Sequence, residues 1–263
     1  MPKKIKHILQ CPMTGKTPGR DGTGTGFGGQ EWYNKRADLF IKYTLENLKK
    51  QTNKDFLLWI TFRPQELLNP TTKKIARAVT DSGLTNIMSF NGTMFTEDKA
   101  IWHNQDLQER LAKCLPALKE SVGDADYIYE TNLDSDDMVH KKFSEIVLNY
   151  KPSKEGALYM TKGFVYNTEG RVADWNNPTS QQNYTIMFPK KIYLNAEKRL
   201  KYLKGFNTHE QVPTLFKNAT QMPDGLYCSI IHGGNISTVW NHPFRGQEYI
   251  YEDQKLEILN NFL

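Results

Sequence analysis

Cysteine and long hydrophobic runs are both scarce in this chain of 263 residues. The cysteines, Cys11, Cys114 and Cys228, lie far apart and form no C-x-x-C pair, which argues against a disulfide framework and a structural zinc site. No stretch approaches the roughly 18 uninterrupted apolar residues that a membrane span needs. The segment 1–10 is too poor in apolar residues for a secretion signal. We therefore expect a cytoplasmic protein without a transmembrane segment, with at most a peripheral contact to a membrane.

The chain also lacks concentrated charge of one sign. Its formal net charge is +5 and its pI about 8.9, yet no block of five or six consecutive basic residues occurs. This modest positive balance suits small anionic partners such as nucleotides and diphosphates. We expect no nucleic-acid partner, because no arginine-rich arm is present.

Strand and helix patterns alternate through residues 1–150. Phe56–Phe62 is a continuous apolar run, typical of a strand buried on both faces, whereas Asn34–Lys50 carries apolar residues at helical spacing. The predicted order is strand 4–12, loop 13–30, helix 34–50, strand 56–62, helix 71–82, strand 84–90, helix 107–121, strand 125–133 and a helix after residue 137. This alternation predicts a parallel sheet with helices on both faces and ligands beyond the carboxyl ends of its strands.

The second part of the chain is less regular. It predicts a hairpin within 156–175, a strand at 184–194, a helix at 195–204, a helix at 208–218 and a strand at 225–231. The helix at 208–218 opens with Thr208-x-x-Gln211, which is a capping-box pattern. No internal repeat separates the two parts, so we expect one continuous α/β domain.

An acidic cluster, Asp134-Ser135-Asp136-Asp137, directly follows the predicted strand at 125–133. Carboxylates this close repel one another unless a cation or hydrogen-bond donors offset their charge. Mg²⁺ and Mn²⁺ prefer oxygen ligands, and such an ion can also hold a diphosphate. The alternative interpretation is that Asp136 or Asp137 caps the following helix. Three acids within four positions at a strand end favour the metal–diphosphate site.

Two segments carry a family resemblance. Residues 31–62, EWYNKRADLFIKYTLENLKKQTNKDFLLWITF, and residues 125–147, ADYIYETNLDSDDMVHKKFSEIV, together resemble the rhamnosyltransferases, a group within the GT-A-like glycosyltransferases. Further landmarks are Thr208-His209-Glu210 and the segment IHGGNIS at 231–237. Members often carry Arg before the L-D-x-D-D motif, where this chain has Asn132.

The resemblance implies an α/β, GT-A-like (Rossmann-like) fold, with a mixed, mostly parallel sheet flanked by helices in a single domain over residues 1–263. It implies a nucleotide-binding half at 1–150 and an acceptor-binding half at 151–263. The implied activity is a metal-dependent glycosyltransferase that uses Mn²⁺ or Mg²⁺. It would move a sugar, here rhamnose, from a UDP-, dTDP- or GDP-linked donor to a glycan or other hydroxyl acceptor. We expect inversion, although retaining enzymes share this fold.

The resemblance also assigns roles around the donor. Asp134 would contact the ribose or the metal, Asp136 would bind the metal and Asp137 would support them. Arg36, in the first helix, would meet the diphosphate or else be a surface arginine. The first strand and its loop would hold the base, through Cys11, Pro12 and Met13.

Candidates for the remaining roles lie in the second part of the chain. An inverting transfer needs a base for the acceptor hydroxyl, and Glu210 fits because it lies near a helix start, where the dipole keeps a carboxylate ionised. Its alternative role is to complement that dipole, and Asp174 is the rival base. His232, at a strand end, would complete the metal shell or touch the diphosphate, unless it is an ordinary loop histidine.

Two other functions compete with this interpretation. An NAD(P)-dependent oxidoreductase would use Gly24-x-Gly26-x-x-Gly29, but about a dozen residues separate these glycines from the first strand, where the fingerprint requires a tight turn. Arg63 after the second strand could favour a 2′-phosphate. A non-catalytic carbohydrate-binding protein would suit the aromatic content but leaves the acidic cluster unexplained.

Overall fold

Two β-sheets organise the computed structural model, which describes residues 2–13, 29–90, 105–177, 179–180, 183–206, 208–232 and 250–263. The strands are β1 Ile5–Pro12, β2 Phe56–Thr61, β3 Asn86–Ser89, β4 Tyr127–Asn132, β5 Asp137–Val139, β6 Gly156–Tyr159, β7 Lys162–Asn167, β8 Val172–Asn176, β9 Thr185–Pro189, β10 Asn218–Gln221, β11 Tyr227–Ile231 and β12 Ile250–Tyr251. The α-helices are α1 Gly29–Leu39, α2 Glu46–Lys49, α3 Pro70–Asp81, α4 Gln105–Val122, α5 Phe143–Leu148, α6 Lys190–Tyr193, α7 Ala196–Tyr202, α8 Val212–Leu215 and α9 Lys255–Leu259.

The larger sheet has the order β10-β6-β9-β4-β1-β2-β3. Strand β1 pairs in parallel with β2 and β4, β2 pairs in parallel with β3, and β10 pairs in parallel with β6. Only β9, among the strands the structure describes in this sheet, runs antiparallel to its neighbours. The predicted mixed, mostly parallel sheet is therefore confirmed. It takes strands from both sides of residue 150, while the functional division at that residue stays a prediction.

Apolar side chains cover both faces of this sheet. Along β2, Leu58 and Ile60 belong to one buried cluster, whereas Leu57 and Trp59 belong to a second cluster. Because alternate residues of a strand point to opposite faces, the two clusters lie on opposite sides of the sheet. The prediction that Phe56–Phe62 contains a strand buried on both faces is confirmed.

The smaller sheet has the order β12-β8-β7-β11-β5. Its strand β5 starts at Asp137, so the acidic cluster connects the two sheets. The prediction of a helix directly after residue 137 is wrong. Met138 and Val139 are buried on a strand that pairs with β11, and α5 begins only at Phe143. Val139 and Phe143, whose spacing suggested one helical face, thus lie on a strand and on a helix respectively.

The hairpin predicted within 156–175 is confirmed, although its first strand begins only at Lys162. Strand β6 belongs to the larger sheet and β7 to the smaller one, and the hairpin is formed by β7 and β8. A Cβ at Gly163 on β7 would lie 2.6 Å from the backbone oxygen of Tyr227 on β11, so the close approach of these two strands requires glycine at this position. Sequence alternation alone does not show which sheet a short strand joins.

Two other elements differ in extent from their predictions. The strand predicted at 184–194 ends at Pro189, where α6 follows. The helix predicted at 208–218 is a 3₁₀ turn, His209–Gln211, followed by α8. Its predicted start is confirmed, because the Gln211 side chain accepts a hydrogen bond from the Thr208 backbone N–H at 3.1 Å.

A neutral histidine joins the core strands. His7 on β1 is fully buried, with Nδ1 2.9 Å from the Ser144 hydroxyl and Nε2 2.8 Å from the Thr131 hydroxyl. Thr131 in turn lies 2.6 Å from the Thr185 hydroxyl. Burial lowers the pKa of His7 from 6.5 to about 3. The imidazole therefore stays neutral in the fold at pH values where an exposed histidine is charged.

This histidine should make stability depend on pH. Above pH 6.5 it is neutral in both states, but between pH 6.5 and 3 only the unfolded chain binds the proton. Stability should then fall by up to about 1.4 kcal/mol per pH unit from this group. Urea unfolding of the wild type and of His7→Gln from pH 7 to pH 4 measures it. The variant should lose less stability over that range, and equal losses would contradict this assignment.

Candidate active site

The acidic cluster forms a turn at the carboxyl edge of the larger sheet. The Asp137 N–H donates to the Asp134 carbonyl at 3.1 Å, and the Leu133 N–H donates to the Gln10 carbonyl of β1 at 2.9 Å. Helix α5 starts six residues beyond this turn, at Phe143. The alternative that Asp136 or Asp137 caps the following helix is therefore excluded.

Asp136 lies in a buried charge network. Arg36 Nη1 forms an ion pair with Asp136 Oδ2, and Arg36 Nε donates to the Ser135 hydroxyl at 2.7 Å. His232 Nε2 lies 2.9 Å from the same Asp136 Oδ2. Burial opposes ionisation, but the Arg36 charge and the His232 contact outweigh it, so the pKa of Asp136 lies below 3.8. Asp136 is thus an ionised carboxylate at neutral pH.

Asp137 has different surroundings and fastens the turn to its neighbours. Its Oδ2 accepts hydrogen bonds from Asn183 Nδ2 at 3.1 Å and from the Ser229 hydroxyl at 3.0 Å. Its Oδ1 accepts the Ile230 N–H at 3.3 Å. Burial, together with the charges of Asp136 and Asp134, raises its pKa well above 3.8. Both carboxyl oxygens are engaged within the protein, which indicates a structural role.

Asp134 is half-buried and more open than its neighbours. Its backbone N–H donates to Asn183 Oδ1 at 3.1 Å. Burial and the charge of Asp136 raise its pKa to about 6, although Arg36 acts in the opposite direction. A cation arriving beside Asp134 would favour its ionised form.

Side chains of the helical segment 29–49 form hydrogen bonds with the backbone at and just after the acidic turn. Thr44 Oγ1 donates to the Asp137 carbonyl at 2.9 Å, while Asn47 bonds both the N–H and the C=O of Val139, at 3.0 and 2.8 Å. Between α1 and α2 the chain is π-helical, at Phe40–Leu45. In a regular α-helix the side chains of Arg36 and Thr44 would point in directions about 80° apart around the helix axis. A π-helical turn contains one residue more than an α-helical turn, which reduces this angle to about 20°. The π segment therefore directs both side chains towards the acidic turn.

The helix predicted at 34–50 starts earlier, at Gly29, and is not uniformly α-helical.

The end of β1 contributes mostly backbone to this edge. Cys11 and Met13 are buried in the core, whereas Pro12 is partly exposed. The role predicted for these residues, binding the nucleotide base, stays a prediction. Contacts there would come from Pro12 and from backbone atoms rather than from the buried side chains.

Glu210 lies on the 3₁₀ turn His209–Gln211, which contacts the segment around Ser180. It is exposed, and its neighbour His209 donates through Nδ1 to the Ser180 carbonyl at 2.6 Å. Ser180 and Asn183 are three residues apart, so their Cα atoms are at most about 11 Å apart. Asn183 contacts Asp137, so the turn of Glu210 and the acidic turn contact the same short segment, and the role of Glu210 as base stays a prediction.

Asp174 does not approach the cluster. Along the smaller sheet it is in register with Phe164, Cys228 and Met138, in that order. It therefore lies three strand spacings, about 14 Å, from β5. Asp137 neighbours Met138, and alternate residues face opposite sides, so the side chains of Asp174 and Asp137 are on different faces of the sheet.

The donor atoms fit a divalent cation that brings phosphate oxygens with it. Asp134, Asp136 and His232 offer oxygen and nitrogen ligands, and Mg²⁺ commonly takes one or two carboxylates plus substrate phosphates. In the described part of the chain, however, no three Asp, Glu, His or Cys side chains converge as a ready metal cage. A cation held by protein side chains alone is not what this arrangement favours.

The features of the oxidoreductase alternative fare less well. Gly24 and Gly26 lie outside the described residues, and Gly29 opens α1 with a φ of +77°. Arg63, which would have to meet a 2′-phosphate, is buried and donates to Glu66 Oε1 at 2.8 Å. An arginine engaged in this way is not available to a cofactor without losing that ion pair.

Sequence reasoning missed the polar residues that orient the acids. Asn183 and Ser229, which belong to no recognisable motif, hold Asp137, and Ser135, the variable position of the acidic motif, receives Arg36. The one signal in the sequence is the position of Asn183 directly before the predicted strand at 184–194. Its importance depends on the loop that brings it back to the acidic turn, which local sequence does not reveal.

Comparison with known proteins gives only a distant likeness. No protein-family model matches the chain, and a search of curated proteins finds no match. Among solved structures, the chain is similar to S. aureus TarS 1–349, with 13% identity and a TM-score of 0.40 over 86% of this chain and 60% of that one. TarS 1–349 in complex with UDP gives 12% and 0.39, and a longer S. aureus TarS chain gives 11% and 0.39 with 37% of that chain covered. This chain thus spans about three fifths of TarS 1–349, and a likeness this distant assigns no activity.

Among the described residues, no helix has both the length and the apolar character needed to cross a membrane.

The two neighbouring acids should differ in their effect on stability. Asp137→Ala removes the acceptor of three buried hydrogen bonds, so it should lower the free energy of unfolding by roughly 3 kcal/mol. The matched control Asp134→Ala removes a half-buried carboxylate and relieves charge repulsion, so it should change stability by less than about 1 kcal/mol. Urea denaturation at pH 7 tests this, and equal effects of the two substitutions would contradict the structural role of Asp137.

Proposed function

We propose that this protein is a metal-dependent glycosyltransferase that takes its sugar from a nucleoside diphosphate. The sugar that we propose is rhamnose, carried by UDP, dTDP or GDP, and the acceptor is a hydroxyl group of a glycan or related molecule. Buried cysteines that form no disulfide suit the reducing cytoplasm, where we propose that the protein acts.

The observation that carries this proposal is the ionised Asp136 between Arg36 and His232. The three side chains meet beyond the carboxyl ends of β1 and β4, which is where open α/β sheets bind ligands. A carboxylate, a guanidinium and an imidazole together suit a diphosphate that arrives with a divalent cation. A purely carbohydrate-binding surface does not need buried charges of this kind.

The cation, Mn²⁺ or Mg²⁺, would be held by Asp136 and His232 with Asp134 in support. When bound, it supplies positive charge against the departing diphosphate. His232 Nε2 contacts the Asp136 carboxylate, so binding a cation through that nitrogen would place the hydrogen of the neutral ring on Nδ1. Arg36 would contact the phosphate oxygens, for which its fork of N–H groups is suited.

We propose Glu210 as the base. For inversion, the acceptor hydroxyl attacks the anomeric carbon on the side opposite the diphosphate, and Glu210 takes the hydroxyl proton. The turn that carries Glu210 forms a hydrogen bond with Ser180, and Asn183, three residues further along the chain, forms one with Asp137 of the acidic cluster. Asp174 is the weaker candidate because it lies on the other face of the smaller sheet.

Slow hydrolysis of nucleotide sugars tests the function without knowledge of the acceptor. UDP-, dTDP- and GDP-linked sugars, including the rhamnose conjugates, are incubated with the protein and Mn²⁺, and the released nucleotide is measured. We expect release from one donor class, abolished by a chelator. Asp136→Ala should reduce the rate by about 100-fold or more.

Asp55→Ala is a suitable control, since this exposed carboxylate pairs with Lys6 away from the acidic turn. It should leave the rate unchanged. Full hydrolysis by Asp136→Ala, or hydrolysis that a chelator does not affect, would contradict the proposed metal–diphosphate site.

A further inference from the structure

Arg36 occupies the position that a cation would take on Asp136. Its guanidinium pairs with Asp136 Oδ2, bonds Ser135 through Nε at 2.7 Å and lies 5.6 Å from the centre of the Trp32 ring. The side chain of Asp136 is only 6% exposed and that of Arg36 15%. The internal ion pair therefore neutralises the buried carboxylate without a metal.

The pairing also uses one of the two carboxylate oxygens that a cation could bind. Arg36 Nη1 and His232 Nε2 both contact Asp136 Oδ2. A divalent ion on that oxygen would be close to the guanidinium, and two cations at such a separation repel each other strongly. Cation binding on this oxygen thus requires Arg36 to leave Asp136.

The phosphate oxygens of a diphosphate would be alternative hydrogen-bond acceptors for the Arg36 guanidinium. The guanidinium binds phosphate oxygens in the same forked geometry that it uses for carboxylates. Arg36 has a long unbranched side chain, and its helix is held separately through Thr44 and Asn47. The side chain can therefore change partner while α1 stays in place.

We infer that Arg36 is a positioning residue that makes cation binding conditional on the nucleotide. In the ligand-free protein it occupies Asp136; when the diphosphate arrives, it turns to the phosphate oxygens and leaves Asp136 to the cation. This inference rests on the proposed function. By linkage, the nucleotide must raise cation affinity by the same factor as the cation raises nucleotide affinity.

The test measures Mn²⁺ binding by electron paramagnetic resonance, without and with saturating UDP. Arg36→Met removes the charge and keeps an unbranched chain. Lys35→Met is the matched control, because it removes the same charge from the same helix. Lys35 pairs with the exposed Glu31 and not with the acidic turn. Unfolding midpoints of both variants are measured first, and binding is measured below them.

The wild type should bind Mn²⁺ weakly alone and about tenfold more tightly with UDP, which is within the usual range of coupling between sites. Arg36→Met should bind Mn²⁺ alone about tenfold more tightly than the wild type does. UDP should then add little further affinity. Lys35→Met should behave as the wild type.

Two failures can be told apart. If UDP strengthens Mn²⁺ binding equally in the wild type and in Arg36→Met, and Asp136→Asn abolishes binding, the role of Arg36 is wrong while the proposed function stands. If Mn²⁺ does not bind the wild type even with UDP, the proposed metal-dependent function itself is overturned, and the role of Arg36 falls with it.

Discussion

The ion pair between Arg36 and Asp136 is the interaction on which the site depends. Three acids within four positions repel one another, and burial makes each of their charges more costly. Arg36 offsets the charge of Asp136, while hydrogen-bond donors on β11 and at Asn183 satisfy Asp137. The π-helical segment of the first helix brings both Arg36 and the fastening residue Thr44 to the same turn.

One short motif thus serves two purposes. Asp137 starts β5, and its carboxyl group is committed to the joint between the two sheets. Asp136 precedes that strand, and its carboxylate faces Arg36 and His232, which belong to separate elements that meet at the carboxyl edge of the larger sheet. The chemical role of each acid is set by where the turn places it, since the residue type is the same.

The fold was accessible from the sequence because its signals are local. The apolar run at Phe56–Phe62 and the strand–helix alternation predict the parallel sheet, and that sheet places the acidic cluster at the edge where ligands bind. The strand after Asp137 was not accessible, because three residues carry no periodicity and the strand exists through pairing with the distant β11. Arg36 and His232 were singled out as candidates, but their meeting on a single oxygen of Asp136 depends on tertiary packing. The contribution of Asn183 depends on the tertiary structure that brings it to the acidic turn, which no local pattern encodes.

The most direct measurement is a crystal structure with Mn²⁺ and UDP, using the anomalous scattering of manganese to locate the ion. The account predicts a manganese peak beside the Asp136 carboxylate and His232 Nε2, with UDP phosphate oxygens completing the coordination and the Arg36 guanidinium turned onto the diphosphate. A manganese peak elsewhere, or Arg36 still paired with Asp136 while UDP and Mn²⁺ are bound, would contradict it.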